Sequence, residues 1–132
     1  MEQTLIILKP DAVQRGLIGE IVSRFEKKGF RIAAMKMLTI TPELARRHYV
    51  DHLEKPFYPP LEKYITGAPT VVLILEGEGV IASVRLMVGP TNGLVAPPGT
   101  IRGDFATDIR HNLVHASDSE AAAMREIGVF FG

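Results

Sequence analysis

Apolar residues come in short bursts along this chain, and the spacing within each burst differs. Residues 4–8 form an almost unbroken apolar run that stops at Lys9-Pro10-Asp11, which predicts a buried strand ended by proline. Residues 19–28 put Ile21, Val22 and Phe25 on one helical face and Glu20, Arg24, Lys27 and Lys28 opposite, with Gly29 placed to end the helix in a left-handed conformation. Residues 30–40 interleave apolar and β-branched side chains with Arg31 and Lys36, as a strand does. Thr41-Pro42-Glu43 is a helix start: a capping hydroxyl, a first-turn proline and an acid at the positive end of the dipole. Residues 51–60 read as a loop or turn leading to a short helix, 61–65, closed by Gly67. A third strand is expected at 70–75 and a helix at 80–87, with Val80, Val84 and Met87 on one face. Residues 89–99 hold Gly89, Gly93 and Gly99 with Pro90, Pro97 and Pro98, so this is an irregular loop, and loops of that length in a small domain are usually functional. Residues 111–115 predict a fourth strand, and Ser117-Asp118-Ser119-Glu120 a capping box ahead of a helix at 121–127 that Gly128 can end.

The order is strand, helix, strand, helical insert, strand, helix, loop, strand, helix. Two βαβ-like halves of this kind predict an α+β protein of the ferredoxin-like split βαβ arrangement. Its four-stranded sheet is expected to be antiparallel, with helices packed on one face and helical and loop insertions between the halves. With no internal repeat and 132 residues, residues 1–132 read as one domain. Fifteen basic residues balance fifteen acidic ones, which argues against broad electrostatic binding of nucleic acid or anionic membrane, although a local basic pocket for a small anion stays open. No cysteine is present, so disulfides, thiolate metal sites and a cysteine nucleophile are excluded, and a reducing cytoplasmic location is expected. The apolar runs are too short to span a bilayer, and residues 1–4 do not begin a signal peptide.

The four histidines fall into two pairs, His48/His52 and His111/His115, each spaced to share a face of a helix or a strand. Such spacing can suit a metal, but no H-E-x-x-H motif supports one, and His48 and His111 read as surface or structural residues. His115 ends an apolar strand directly before a capped helix start, where free backbone N–H groups and the dipole favour an anion. It is either a nucleophile that accepts phosphate or a half-buried histidine at a turn. Arg85, partly shielded in an apolar helix, and Arg102, in a glycine-bracketed turn, offer planar forks that fit phosphate oxygens. These two and Lys9 read otherwise as ordinary surface or ion-pair residues. No Gly-x-x-x-x-Gly-Lys-Ser/Thr loop occurs, so this is not a P-loop enzyme.

Taken together, several blocks resemble the nucleoside diphosphate kinase family. They are Ile7-Leu8-Lys9-Pro10-Asp11-Ala12-Val13-Gln14-Arg15-Gly16, His48-Tyr49, Pro56-Phe57, Gly89-Pro90-Thr91-Asn92, Pro98-Gly99-Thr100-Ile101-Arg102-Gly103-Asp104 and Asn112-Leu113-Val114-His115-Ala116-Ser117-Asp118-Ser119. They occur in the family's order and span nearly the whole chain. The resemblance implies transfer of a terminal phosphate between nucleoside triphosphates and diphosphates, by ping-pong kinetics through phosphorylated His115. It implies that Glu126 hydrogen-bonds the ring with Ser117 nearby, and that Tyr49 stands close. Lys9 and Asn112 would contact the sugar hydroxyls, and Arg85, Thr91, Arg102 and His52 the phosphates. Phe57 would stack on the base, beside Leu61 and Ile109. Mg²⁺ would ride on the nucleotide phosphates with Asp118 nearby, rather than in a protein cage. A homo-oligomer, tetramer or hexamer built from dimers, is implied as well. Ala116 stands where many relatives have glycine, and the chain ends at Gly132, short of a longer tail that helps subunit packing in many of them.

Other classes remain to be weighed against that resemblance. A single-stranded nucleic-acid module of the RRM kind needs a Lys/Arg-Gly-Phe/Tyr block, which is missing. A fold relative without catalysis would have lost matched positions, and none is lost. A histidine-dependent metallohydrolase would depend tightly on zinc.

Overall fold

The computed structural model describes residues 1–132. Its strands are β1 (Glu2–Leu8), β2 (Arg31–Leu38), β3 (Thr70–Gly77) and β4 (Val114–Ala116). They form one antiparallel sheet in the order β2-β3-β1-β4, the ferredoxin-like arrangement. Helices α1 (Pro10–Gln14) and α2 (Ile18–Lys28) connect β1 to β2. Between β2 and β3 lie α3 (Pro42–His48), a 3₁₀ turn (Val50–His52) and α4 (Tyr58–Thr66). Between β3 and β4 lie α5 (Val80–Val88), a second 3₁₀ turn (Gly93–Val95) and α6 (Ile101–Phe105), and α7 (Glu120–Phe131) closes the chain.

The sheet is covered on both faces, not on one as the pattern suggested. Strand parity divides the core: Ile6 and Leu8 of β1 with Val71, Leu73 and Leu75 of β3 meet α1, α2, α5 and α6. Leu5, Ile7 and Val72 point the other way and meet α3, α4 and Phe130 of α7. That is why residues 4–8 and 70–75 are apolar at nearly every position rather than at alternate ones.

Local chemistry accounts for several boundaries. Gly29 ends α2 at φ 111°, and the Thr41 hydroxyl accepts the Leu44 N–H. Other boundaries depart from the expectation. The chain turns at Pro10 into a short helix, because a proline that ends a strand also fits a first helical turn. Helix α4 begins at Tyr58 rather than 61, since Pro59 and Pro60 sit in its first turn. Arg102 lies in α6, not in a turn. Strand β4 starts at Val114, which leaves His111 outside it and His115 at its middle rather than its end. Ser119, not Ser117, caps α7, accepting the Ala122 N–H. Gly128 does not end α7, because burying Phe130 outweighs the glycine penalty of about 1 kcal/mol.

The 89–99 loop is clamped by backbone contact at glycines. A Cβ at Gly103 would sit 1.9 Å from the Pro97 carbonyl oxygen, and one at Gly93 2.4 Å from that of Ala106. Only glycine admits these approaches, which hold the loop against α6 and the residue that follows it.

Candidate active site

His115 sits between Val114 and Ala116 in β4, which both point into the α1/α2/α5 core. Strand alternation therefore sends His115 to the opposite face, toward α3 and α7. There its Nε2 is 2.9 Å from Oε1 of Glu126, and the Ser117 hydroxyl donates to the same oxygen at 2.6 Å. Burial alone would push the Glu126 carboxyl up. The hydrogen bond and charge of His115, then Ser117 and His48, outweigh it and hold the group down at about 2. Ser117 is buried behind the ring and reaches it only through Glu126, while its own N–H donates to the Leu5 carbonyl at 3.2 Å. With Nε2 engaged, Nδ1 is the nitrogen of His115 left for chemistry.

His48, at the end of α3, packs edge-on against this ring at 4.6 Å between centroids. It is structural rather than superficial. Burial, then the charge of His115, pushes it down to about 3, so it is neutral. His52 and Tyr49 follow at the same corner, and burial with nearby Glu126 and Tyr58 raises the Tyr49 phenol, which stays protonated. The sequence pairs do not meet as pairs: His48 meets His115, while His111 is exposed and contacts Asp108 at 3.3 Å.

Two cavities share Lys9, Tyr49, His52, Thr91, Asn112 and His115, and so form the halves of one cleft. The half of about 570 Å³ is lined by Phe57, Leu61, Tyr64 and Ile109, a largely apolar slot with Phe57 45% exposed at its mouth. The half of about 620 Å³ is lined by Arg85, Arg102, Arg125, Asp118 and Glu126, together with the first turn of α7. An apolar slot joined to a cationic one fits a nucleotide: base in the first, phosphates in the second.

At the junction, Lys9 Nζ donates to Asn112 Oδ1 at 2.8 Å, and Asn112 Nδ2 donates to the carbonyls of Thr91 and Ile109. Burial, then the charge of Arg102, lowers Lys9 to about 8 against the pull of Asp11. Arg102 is buried and donates to three carbonyls, those of Asn112 at 3.2 Å, Gly89 at 2.9 Å and Val114 at 2.7 Å. Burial and the neighbouring Arg85 charge lower it to about 10. These shifts mark a pocket with too much positive charge for its burial, which an anion would relieve. Arg85 is exposed rather than shielded, and donates to the Ala116 carbonyl at 3.1 Å.

Leu113 is fully buried at φ 71°, a conformation that costs a non-glycine residue about 1–2 kcal/mol. It is held by its N–H donating to Asp11 Oδ2 at 3.1 Å and its carbonyl accepting the Lys9 N–H at 2.8 Å. The kink turns the carbonyls of Asn112 and Val114 toward the same guanidinium. Every anticipated residue but Ser117 lines the cleft. Sequence reasoning missed Arg125, Asp11 and the buried role of His48, and no local signal marks them.

Fold and cleft together define a phosphotransferase that acts on nucleotides. The profile of the family described as nucleoside diphosphate kinase matches residues 2–132. A nucleoside diphosphate kinase of Rhodopirellula baltica is 59% identical over 131 residues, covering 99% of this chain and 86% of the relative. One from Thermus thermophilus is 56% identical, covering 99% and 96%. Among solved structures, a halophilic nucleoside diphosphate kinase from Halobacterium salinarum in complex with CDP superposes with a TM-score of 0.96 at 46% identity, covering 98% of this chain and 87% of that one. The Aquifex aeolicus enzyme gives 0.95 at 43% identity, covering 99% and 95%. The chain belongs to the nucleoside diphosphate kinase family. Its activity is transfer of the terminal phosphate of a nucleoside triphosphate to a nucleoside diphosphate through a phosphohistidine, a nucleotide kinase reaction of the kind that needs a divalent metal. No helix is long and apolar enough to cross a membrane.

Proposed function

We propose that His115 is the residue that carries the phosphate, with Nδ1 as the attacking atom. The observation that supports it is the engaged Nε2, 2.9 Å from a carboxylate that is itself held by a serine hydroxyl at 2.6 Å. A histidine so oriented keeps its proton on Nε2 and its lone pair on Nδ1. In the first half-reaction a bond forms between Nδ1 and the terminal phosphorus, and the bond from phosphorus to the bridging oxygen breaks. The nucleoside diphosphate leaves with that oxygen's negative charge. Positive charge developing on the ring is met by Glu126, whose carboxylate stays ionised. A second diphosphate then enters the same cleft and takes the phosphoryl group by the reverse path, so the kinetics are ping-pong.

Arg85 and Arg102, with Thr91 and His52, hold the phosphates, and Lys9 and Asn112 the sugar. Phe57 stacks on the base, with Leu61 and Ile109 lining the slot. Stacking serves every base, so broad base specificity is expected. Tyr49 stays neutral beside the ring. The metal is Mg²⁺. The donor set fits a hard cation carried by the nucleotide, because the phosphate half holds more arginine than free carboxylate, and Asp118, an exposed acid on its lining, would accept from the waters of such an ion. When bound, Mg²⁺ neutralises charge on the transferred and leaving oxygens.

We also propose a cytoplasmic homo-oligomer, a tetramer or hexamer of dimers. Support comes from β2, an edge strand whose Met35 and Met37 are 52% and 58% exposed. Light scattering on the purified chain tests this, and a monomer at micromolar concentration would refute it. The test of His115 is incubation with ATP labelled on its terminal phosphate. The label should be lost in acid and survive base, and His115→Ala should abolish both label and exchange. A fully active His115→Ala enzyme would overturn the assignment.

A further inference from the structure

We propose that His48, His115 and Glu126 form a binding site for a borderline-soft divalent cation such as Zn²⁺, separate in chemistry from the hard cation of the nucleotide. One ligand atom from each of the three lies within 4.8 Å of the other two. They arrive from α3, β4 and α7, so tertiary packing holds them together rather than a local motif. His48 is buried, yet its Nδ1 has no hydrogen-bond partner. An unmet buried polar group is destabilising, and one kept beside two other ligating side chains calls for an occupant.

The donor set fits zinc in type and in openness. Two imidazoles and a carboxylate are a three-ligand set that leaves a fourth position free. His115 lines both halves of the cleft, so that position opens toward solvent and substrate. Ser117, donating to Glu126 at 2.6 Å, supplies the outer support usual around a ligating carboxylate. Zinc–nitrogen bonds of about 2.0–2.1 Å put tetrahedral ligand atoms about 3.4 Å apart, so a pair 4.8 Å apart must close by about 1.4 Å. A nitrogen-rich set disfavours Mg²⁺, which prefers oxygen and keeps its waters. An occupied site ties up the carrier ring and the carboxylate that orients it, so the loaded enzyme takes no phosphate. That consequence rests on His115 being the carrier; the binding itself does not.

The test is titration of the nucleotide-free full chain with Zn²⁺ by calorimetry and by competition with a chromophoric chelator. One site per chain is expected. His48→Asn and Glu126→Gln each remove a direct ligand and should weaken it by more than the about 10–100-fold that loss of an outer-shell partner costs. Excess Mg²⁺ should not compete, and His111→Ala, at the exposed pair with Asp108, should leave it unchanged. Co²⁺ added to the wild-type chain should give the intense visible band of a four-coordinate site, a readout that does not depend on the variants folding. Equal zinc affinity in wild type and both variants, or a weak six-coordinate cobalt spectrum, would overturn the proposal. A wild type that takes label from ATP but binds no zinc defeats this site alone. Zinc binding with a normally labelled His115→Ala enzyme defeats the carrier assignment alone.

Discussion

Replacing Glu126 by glutamine isolates what the carboxylate does for the ring. The amide oxygen occupies the position of Oε1 and can still accept from His115 Nε2 and from Ser117, so shape and tautomer are kept. The charge is lost. A hydrogen bond to a charged group is worth about 1.5–3 kcal/mol against about 1 for a neutral one. The difference matters most when the ring turns positive, as Nδ1 bonds phosphorus. The loss there, up to about 2 kcal/mol, corresponds to up to about a 30-fold slower phosphorylation of His115. Nucleotide contacts are untouched, so the loss should fall on the rate at saturation and not on KM. Rapid-mixing single turnovers with labelled ATP measure it, and a thermal melt confirms that the variant is folded. Phosphorylation within about twofold of wild type would refute the claim that this carboxylate stabilises the developing charge.

The same carboxylate predicts an acid limb of stability. Its folded pKa, about 2, lies below the ordinary 4.5, so its stabilisation is fully present above pH 4.5 and fades as pH falls toward 2, where wild type and Glu126→Gln should unfold alike. Lys9 has the opposite consequence. Its folded pKa, about 8 against 10.5, means the buried charge destabilises the fold below pH 8, and the penalty disappears as pH rises toward 10.5. Lys9→Met should therefore stabilise the free protein by about 2 kcal/mol at pH 7, allowing for the unmet Asn112 oxygen, and should lose phosphotransfer; denaturant melts at pH 7 and 10.5 check the trend. Arg102→Lys cannot satisfy three carbonyls with the same geometry and should cost about 2 kcal/mol of stability in urea, and an unchanged midpoint would refute the bracing role. Phe57→Ala should raise KM by about 5–150-fold for purine and pyrimidine substrates alike, equivalent to about 1–3 kcal/mol of stacking, and a loss confined to one base would contradict stacking as the means of recognition.

Much of the fold and of the cleft was legible in the sequence. Thr41-Pro42-Glu43 and Gly29 set helix ends through bonds made within a turn of themselves, and such local rules act before any packing. The runs 4–8 and 70–75 announced buried strands, and the residues that the family resemblance named all line the cleft except Ser117. What the sequence left open are outcomes decided at long range. Ser117 looked like a helix cap and became the buried support of Glu126, because β1 and α7 close around it. Gly128 looked like a helix end, but Phe130 found a core. His48 could not be matched with His115 from spacing, since they share neither helix nor strand and meet only when α3 docks beside β4. The left-handed Leu113 is invisible in one dimension because leucine does not ask for that conformation. Asp11 and Lys9 impose it across the sheet. Local periodicity records what a residue does with its neighbours in the chain, whereas the distance from an imidazole to a carboxylate is fixed only once both faces of the sheet are packed.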